Sequence, residues 1–234
     1  MRDSLPRRLA IALLRVTLWS AYRLMARMRV EGAKNVPRHG AVILAPNHVS
    51  ATDWPAVGLA SPRLPWFMAK EELFETPILA PLIRLCHAYP VKRDTADRAA
   101  LRRTEQLLRH GQVVVIFPEG QVSPDARFQP LKPGLALLAL RTGAVVIPVG
   151  LLGSERLMPY GHNLPHFLRE PLIVRFGPPV PLDDLREPGR AAPSRAAIET
   201  ATERLAAAIR ALLADSRPAK PGERENAKER KREI

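Results

Sequence analysis

Short, wholly apolar runs separated by longer helical patterns are the feature of this sequence that most constrains its fold. Residues 112–117 contain three valines and an isoleucine in a row, and residues 144–149 form a second continuous apolar run. Such runs, without polar alternation, are typical of strands that are buried on both faces of a parallel sheet. An amphipathic helical pattern over residues 95–110 precedes the first run. The sequence therefore predicts an α/β fold, with a mostly parallel central sheet flanked by helices.

Further elements are predicted from the spacing of apolar residues and from Gly and Pro positions. Strands are expected over residues 41–45, 65–70, 89–93 and 171–176, and helices over residues 55–60, 71–86, 135–141 and 194–214. Pro77 and Pro81 should bend or restart the helix over 71–86, because proline lacks an amide hydrogen.

Three loops that follow predicted strands each contain an ionisable side chain suited to catalysis or to ligand binding. These loops contain His48, Arg93 and Glu119. In a parallel sheet the carboxyl ends of the strands share one edge, where ligands commonly bind. The three loops are therefore expected to meet in one site.

His48 and Asp53 are the candidates for base catalysis. Neutral imidazole can accept a proton near neutral pH, and a carboxylate on its other nitrogen fixes the tautomer and stabilises the imidazolium. The substrate's own hydroxyl would then be the nucleophile. The alternative is that His48 is an ordinary loop histidine and that Asp53 caps the next helix. Spacing alone leaves both interpretations open.

The amino-terminal segment is basic and apolar. Residues 1–29 contain seven arginines and one aspartate. The longest stretch with a single charge, residues 9–22, is shorter than the roughly 20 apolar residues of a spanning helix. A helix lying in the membrane interface is therefore expected, with arginines reaching lipid phosphates. A core helix with an exposed basic face and a signal peptide are the alternatives.

The overall composition restricts the chemical class of binding partner that the protein can have. The formal net charge is +13, which favours anionic partners such as an anionic membrane surface, phosphorylated substrates or nucleic acid. Aromatic residues make up only 5%, so no stacking platform for nucleic acid is evident. One cysteine excludes an intrachain disulfide and a Cys-based metal site.

Three regions are expected along the chain. They are a membrane-interface helix over residues 1–29, an α/β domain over residues 30–214, and a disordered charged tail over residues 215–234.

Four sequence blocks carry a resemblance to a known family. They are Asn47 and His48 with Asp53; residues 89–93, ending in Arg93; Phe117, Pro118, Glu119 and Gly120 with Ser123; and residues 146–150, which contain Pro148. With these blocks in this order, the chain resembles the glycerophospholipid acyltransferases, of which 1-acylglycerol-3-phosphate acyltransferase is the type member.

The resemblance implies an activity and a set of roles. His48 would be the general base, oriented by Asp53, and a glycerol hydroxyl of a lysophospholipid would attack the thioester of acyl-CoA or acyl-carrier protein. With 1-acylglycerol-3-phosphate as acceptor the product is phosphatidate. Arg93, Glu119, Gly120 and Lys132 would bind the acceptor, with Arg93 suited to its phosphate. No metal or other cofactor is implied, and the protein is expected on the cytoplasmic face of the cell membrane.

The third block departs from the family pattern. After the glycine the family usually continues Thr-Arg-Ser, whereas this chain has Gln121 and Val122 before Ser123. The missing arginine removes an expected anion contact, which Lys92, Arg93, Arg127 or Lys132 could replace. Alternatively, the acceptor is another lyso-lipid, such as a lysophospholipid or a lyso-aminolipid.

Two rival functions remain at this point. A non-catalytic basic module that binds membrane or nucleic acid would account for the net charge. It would not explain the pattern of His48, Asp53 and Glu119. A serine hydrolase is disfavoured because the sequence contains no Gly-x-Ser-x-Gly elbow.

Overall fold

A seven-stranded sheet organises the part of the chain that the computed structural model describes, residues 4–77, 79–92, 97–186 and 192–214. The strands are β1 (Arg29–Glu31), β2 (Val42–Pro46), β3 (Trp66–Lys70), β4 (Ala88–Val91), β5 (Val113–Val115), β6 (Val145–Leu152) and β7 (Ile173–Phe176). Their order across the sheet is β1-β7-β6-β2-β5-β3-β4. All neighbouring pairs are parallel except β6 and β7, which are antiparallel.

Helices connect the strands and cover both faces of the sheet. The α-helices within the described residues are α1 (Leu5–Ala26), α2 (Asp53–Ala60), α3 (Leu79–Leu85), α4 (Arg98–Arg109), α5 (Gly134–Thr142), α6 (Ser154–Leu157) and α7 (Arg195–Ala214). Single turns of 3-10 helix lie at Ala33–Asn35, Glu71–Phe74 and Asp183–Leu185.

Two hydrophobic cores lie on opposite faces of the sheet, and successive residues of β2 point into them alternately. Val42 and Leu44 belong to the core beneath α1 and α2, whereas Ile43 and Ala45 belong to the core beneath α4, α5 and α7. All four side chains are fully buried. Burial on both faces explains why β2 has no polar alternation, and the predicted α/β architecture is confirmed.

The helical segment predicted over residues 71–86 is interrupted, as expected from its prolines, but its first part is a 3-10 turn and not an α-helix. The chain forms a 3-10 turn over Glu71–Phe74 and then the separate helix α3. Pro77 accounts for the break, since it has no amide hydrogen and disfavours helical geometry in the residue before it. Pro81 is tolerated as the third residue of α3, because first-turn amides need no partner within the helix.

Other predicted boundaries need smaller corrections. Helix α2 begins at Asp53 instead of residue 55, and β5 is shorter than the predicted run. The division between residues 29 and 30 falls inside β1, so Arg29 belongs to the sheet and not to an amino-terminal helix. The predicted tail, residues 215–234, lies outside the described residues.

Helix α1 packs lengthwise on the α/β domain. Arg7 donates a hydrogen bond to the Arg84 carbonyl at 3.1 Å, near the end of α3. Arg15 donates to the Gly58 carbonyl at 2.9 Å and Tyr22 donates to the Thr52 carbonyl at 2.8 Å, at the two ends of α2. One side of α1 is therefore fixed to the domain along its length.

The other side of α1 is apolar and exposed. Its outward side chains are Leu5, Leu9, Leu13, Val16 and Leu24, each more than 60% exposed. The helix has 22 residues, so by length and composition it could cross a membrane, and the expectation that it is too short for this needs correction. Core helices and signal sequences meet the same criterion, so this alone does not decide between the three interpretations.

Candidate active site

The site lies at the carboxyl ends of β2, β5, β3 and β4, which are parallel neighbours. His48 follows β2 by two residues, and Phe117 follows β5 by two residues. Parallel pairing of β2 with β5 brings these two loops side by side, as the sequence predicted for the loops of His48 and Glu119. Arg93, the third member of the predicted group, lies outside the described residues.

Asp53 is bonded to the His48 ring. The distance from His48 Nδ1 to Asp53 Oδ2 is 2.9 Å. The same carboxylate oxygen accepts hydrogen bonds from the backbone amides of Val49 at 2.7 Å and Ser50 at 2.8 Å. These donors precede the helix, so Asp53 organises the loop that carries His48 and does not cap the helix amides of α2. Asp53 is completely buried and its Oδ1 has no hydrogen-bond partner within the described chain.

The His48 ring is held in one orientation, with Nε2 left for chemistry. It stacks on Phe117, with ring centroids 3.9 Å apart and the planes at 25°. Donation from Nδ1 to the Asp53 carboxylate leaves the lone pair on Nε2. Among the described residues, Nε2 has no hydrogen-bond partner, and the ring lines a cavity. An imidazole in this state can accept a proton from a molecule in that cavity.

Glu119 holds the backbone of the His48 loop. Its Oε1 accepts a hydrogen bond from the His48 amide at 2.7 Å, and its Oε2 accepts one from the Gln129 amide at 2.9 Å. The residue is 3% exposed and does not line the cavity. Burial raises the pKa of Glu119 to about 7; the charge of Asp53 also raises this pKa, and the two amide donors oppose both. Glu119 thus faces the loop in this structure, whereas the sequence analysis placed it on the acceptor.

Ser123 closes the same pair of loops. Its amide donates to the His48 carbonyl at 2.8 Å, and its hydroxyl donates to Asp125 Oδ1 at 2.7 Å. The side-chain amide of Gln129 donates to Ser123 Oγ at 3.2 Å and to Asp125 Oδ1 at 3.0 Å. The third block is therefore a framework around the His48 backbone.

Gly120 has a steric reason to be glycine. Its φ is +82°, and a Cβ at this position would lie 2.7 Å from Lys132 Cε and 2.8 Å from Nζ. The left-handed backbone favours glycine, and a Cβ would also force the end of the Lys132 side chain to move. The Lys132 amide also donates to the Pro118 carbonyl at 2.8 Å, which fixes the lysine beside this turn.

Asn47 and Pro148 support the sheet and are not part of the cavity lining. The Asn47 side chain accepts from the Leu151 amide at 2.7 Å and donates to the Leu151 carbonyl at 3.1 Å, so it joins the end of β2 to β6. Pro148 lies within β6 opposite Ala45 and is buried. Its carbonyl accepts from the Gly177 amide at 2.9 Å.

A cavity of about 480 Å³ opens beside His48. Most of its lining is apolar, with Trp54, Phe67, Ile83, Leu101 and Leu135 among the residues that form its walls. A space of this volume and polarity suits a chain of methylene groups.

Three lysines also line this cavity. Lys92 and Lys132 were expected as possible replacements for the missing arginine, whereas Lys70 was not among the predicted binding residues. Lys70 ends β3 and Lys92 follows β4, while Lys132 lies over Gly120. Lys70 lies 3.1 Å from Glu72 and Lys92 lies 3.8 Å from Glu71, in exposed ion pairs. The place of Lys70 at the carboxyl end of a parallel strand is the signal that could have identified it.

No group of three or more His, Cys, Asp or Glu side chains in the described residues could hold a metal ion. The expectation that no metal or cofactor is required stays a prediction.

Comparison with known proteins gives consistent results. The family model described as Acyltransferase matches residues 27–152. This range includes His48 and Asp53, as well as Glu119 and Lys132. The chain is 30% identical over 149 residues to the chloroplastic 1-acyl-sn-glycerol-3-phosphate acyltransferase of Arabidopsis thaliana, covering 62% of this chain and 42% of that protein. It is 29% identical over 132 residues to the 1-acyl-sn-glycerol-3-phosphate acyltransferase of Bacillus subtilis, covering 55% of this chain and 64% of that protein.

A solved structure extends the similarity to the whole fold. The crystal structure of the 1-acyl-sn-glycerophosphate (LPA) acyltransferase PlsC from Thermotoga maritima matches with a TM-score of 0.70 and 26% identity, covering 94% of this chain and 86% of that chain. The chain spans less than two thirds of the length of both the Arabidopsis thaliana and the Bacillus subtilis protein. The matched family model covers more than half of the sequence, and the chain therefore belongs to the glycerophospholipid acyltransferase family.

Proposed function

We propose that this protein is an O-acyltransferase that moves a fatty acyl group from acyl-CoA or acyl-carrier protein to the free glycerol hydroxyl of 1-acylglycerol-3-phosphate, giving phosphatidate. The observation that carries the proposal is the buried His48–Asp53 pair, whose Nε2 faces an apolar cavity with a lysine rim. The names of the relatives in Arabidopsis thaliana and Bacillus subtilis support this acceptor.

The proposed reaction uses the acceptor hydroxyl as nucleophile. His48 Nε2 takes the hydroxyl proton while the hydroxyl oxygen attacks the thioester carbonyl carbon. Asp53 stabilises the imidazolium through the 2.9 Å contact at Nδ1. The tetrahedral intermediate then collapses, the carbon–sulfur bond breaks, and the imidazolium returns the proton to the departing thiolate. The products are the acylated acceptor and a free thiol.

The lysines supply the charge that binds the acceptor. Lys70, Lys92 and Lys132 surround the cavity in which His48 lies, and each ammonium can approach a phosphate oxygen. They compensate for Val122, which stands where the family usually has arginine. Arg93 remains a predicted phosphate ligand, since its position is outside the described residues. Another lyso-lipid is the alternative acceptor that the altered block permits.

We place the protein on the cytoplasmic face of the cell membrane, peripheral or monotopic, with the exposed side of α1 in the lipid interface. The exposed leucines and Val16 of α1 form one apolar side, and the helix has no acidic residue. Its opposite side is bonded to α2 and α3, so a spanning orientation would draw these polar helix ends into lipid. Anionic headgroups would add about 1 kcal/mol per nearby cation.

The test is acyl transfer to a panel of acceptors. Long-chain acyl-CoA and an acyl-carrier protein thioester would each be supplied with lysophosphatidate, glycerol-3-phosphate, lysophosphatidylcholine or a lyso-ornithine lipid. We expect the wild type to transfer the acyl group to lysophosphatidate. In His48→Ala the rate of this transfer should fall about a thousandfold or more. His39→Ala, at an exposed histidine, is the matched control and should retain full activity.

Two results would contradict the proposal. Full activity in His48→Ala would remove the base mechanism, and absence of transfer to every acceptor would favour the non-catalytic membrane- or nucleic-acid-binding alternative. Transfer to lysophosphatidylcholine or the lyso-ornithine lipid alone would keep the mechanism and replace the acceptor.

A further inference from the structure

A second apolar element lies on the surface beside α1, in the segment between α6 and β7. Tyr160, Leu164 and Phe167 in this segment are 60%, 77% and 71% exposed. Three large apolar side chains that face water within eight residues form an unusual surface, because such groups are normally buried. None of them lines the cavity, so the proposed reaction does not account for them.

The segment has a defined frame. The His166 amide donates to the Leu157 carbonyl at 2.7 Å, and the His162 amide donates to the Pro159 carbonyl at 3.0 Å. An ion pair between Arg156 and Glu170 joins its two ends. A loop whose ends are joined in this way holds its tip away from the core. The apolar side chains at the tip are therefore displayed outward by the fold.

This loop, residues 158–170, is bonded directly to the carboxyl end of α1. The Leu168 amide donates to the Met25 carbonyl at 2.7 Å, and Arg27 donates to the Arg169 carbonyl at 3.3 Å. Leu24, at the same end of α1, is 75% exposed. The base of the loop, next to Phe167, therefore adjoins the end of α1 that carries Leu24, although the two segments are distant in sequence.

The charges around this junction match an anionic lipid surface. Arg23, Arg27 and Arg169 are exposed there. Helix α1 has no acidic residue, and Glu170, the one acid in the loop, is paired with Arg156. Apolar side chains bordered by arginines fit the boundary between acyl chains and anionic headgroups.

We propose that residues 158–170 form a second membrane-contacting loop, which inserts Leu164 and Phe167 into an anionic lipid bilayer beside α1. This inference rests on the proposed function, because it extends the membrane contact assigned there to α1. The loop is also connected to the catalytic site. The Ser50 hydroxyl donates to the Met158 carbonyl at 2.8 Å, and the Ser50 amide donates to Asp53. Insertion would therefore bring lipid-borne acceptor close to the His48 loop.

The experiment measures the surroundings of single labelled positions on the full chain. In a Cys86→Ser background, an environment-sensitive dye would be attached at Phe167→Cys, at Leu13→Cys on α1, or at Ala196→Cys on α7. Ala196 is exposed and α7 covers the opposite face of the sheet, so it is the matched control. With phosphatidylcholine vesicles that contain phosphatidylglycerol, we expect a blue shift at positions 167 and 13 and none at 196.

A second measurement uses the double variant Leu164→Ser, Phe167→Ser. Its partition coefficient to the same vesicles should fall roughly tenfold, since two large side chains no longer leave water. Its acyl transfer to a short-chain, water-soluble acceptor without vesicles should equal that of the wild type.

The possible results separate this inference from the proposed function. A shift at position 13 without one at 167, or unchanged partition in the double variant, would overturn the loop and leave the α1 contact intact. Absence of a shift at every position would overturn both membrane contacts, while the His48→Ala assay would still judge the reaction. A shift at 167 that depends on protein concentration and not on lipid would identify a second copy as the occupant and overturn the inference.

Discussion

The His48 loop and the lysine rim border the same cavity, but they are built in opposite ways. Asp53 is fully buried and its Oδ2 contacts three donors, while Glu119 anchors the His48 amide from the other side. The Lys70 and Lys92 side chains are 44% and 66% exposed, and their carboxylate partners are also exposed. One region fixes its groups through buried hydrogen bonds, and the other holds charge on exposed side chains that reach into water.

The difference follows from what each region would do. Proton transfer needs donor and acceptor within hydrogen-bond distance at a defined angle, so a rigid histidine is favourable. Attraction of an anionic headgroup depends weakly on geometry, and long lysines can follow a headgroup that arrives in different orientations. Substitutions in the first region should therefore lower kcat, and substitutions in the second should raise KM.

The largest effect in this comparison is expected from Asp53→Asn. An amide cannot accept from His48, Val49 and Ser50 as the carboxylate does, and it favours the wrong imidazole tautomer. We expect kcat/KM to fall about 10³- to 10⁴-fold, and the free energy of unfolding to fall by about 1–3 kcal/mol. Steady-state kinetics and urea denaturation measure the two quantities. Activity within tenfold of the wild type would mean that the pair is not catalytic.

Glu119→Gln tests whether the loop backbone must be held. Glutamine can accept one of the two amide hydrogen bonds, so the His48 loop should shift without unfolding. We expect kcat to fall roughly 10- to 100-fold with little change in KM, as small displacements of a catalytic group do. Glu203→Gln, on the exposed side of α7, is the matched control. A rise in KM with unchanged kcat would instead return Glu119 to the acceptor-binding role predicted from the sequence.

The same carboxylate should make stability depend on pH. Burial raises the pKa of Glu119 from 4.5 to about 7, so between these values the folded protein keeps a proton that the unfolded chain has lost. The contribution of Glu119 to stability therefore falls as pH rises through this window, by roughly 3 kcal/mol. Urea denaturation at several pH values should give a steeper fall for the wild type than for Glu119→Gln. Parallel curves would contradict the raised pKa.

The smallest effect is expected from the lysine rim. Lys132→Met keeps the aliphatic part of the side chain over Gly120 and removes the charge. We expect KM for an anionic acceptor to rise about 3- to 10-fold with kcat unchanged, because neighbouring lysines remain and water screens the site. Lys34→Met, at an exposed position outside the cavity, is the control. A fall in kcat instead would place the ammonium on the reacting atoms and remove the contrast between the two regions.

Much of the fold could be predicted because buried strands leave a direct signature. Residues 112–117 and 144–149 have no polar alternation, and both contain central strands. Strand order and the antiparallel pairing of β6 with β7 have no such signature, since they depend on contacts between segments far apart in sequence. The interruption near Pro77 was predicted from the proline, but the 3-10 geometry of Glu71–Phe74 was not, because the apolar spacing of this segment also fits an α-helix.

The part of the candidate site that could be predicted is the contact between two side chains. His48 with Asp53 is a short-range pattern, and the structure places the two together. The bond from Glu119 to the His48 amide could not be foreseen, because any residue offers the same backbone donor. Lys70 and Lys92 are brought near His48 by the order of the strands in the sheet, and no local sequence pattern reveals that order.

The attachment of α1 to α2 has a practical consequence for anyone preparing this protein. Helix α2 begins with Asp53; Tyr22 binds the carbonyl just before it, and Arg15 binds carbonyls in its last turn. Removing the apolar amino-terminal segment to improve solubility would release both ends of the helix that carries Asp53, the proposed partner of the catalytic base. An inactive truncated preparation would then report a displaced aspartate, and it would be easily mistaken for evidence that catalysis requires a membrane.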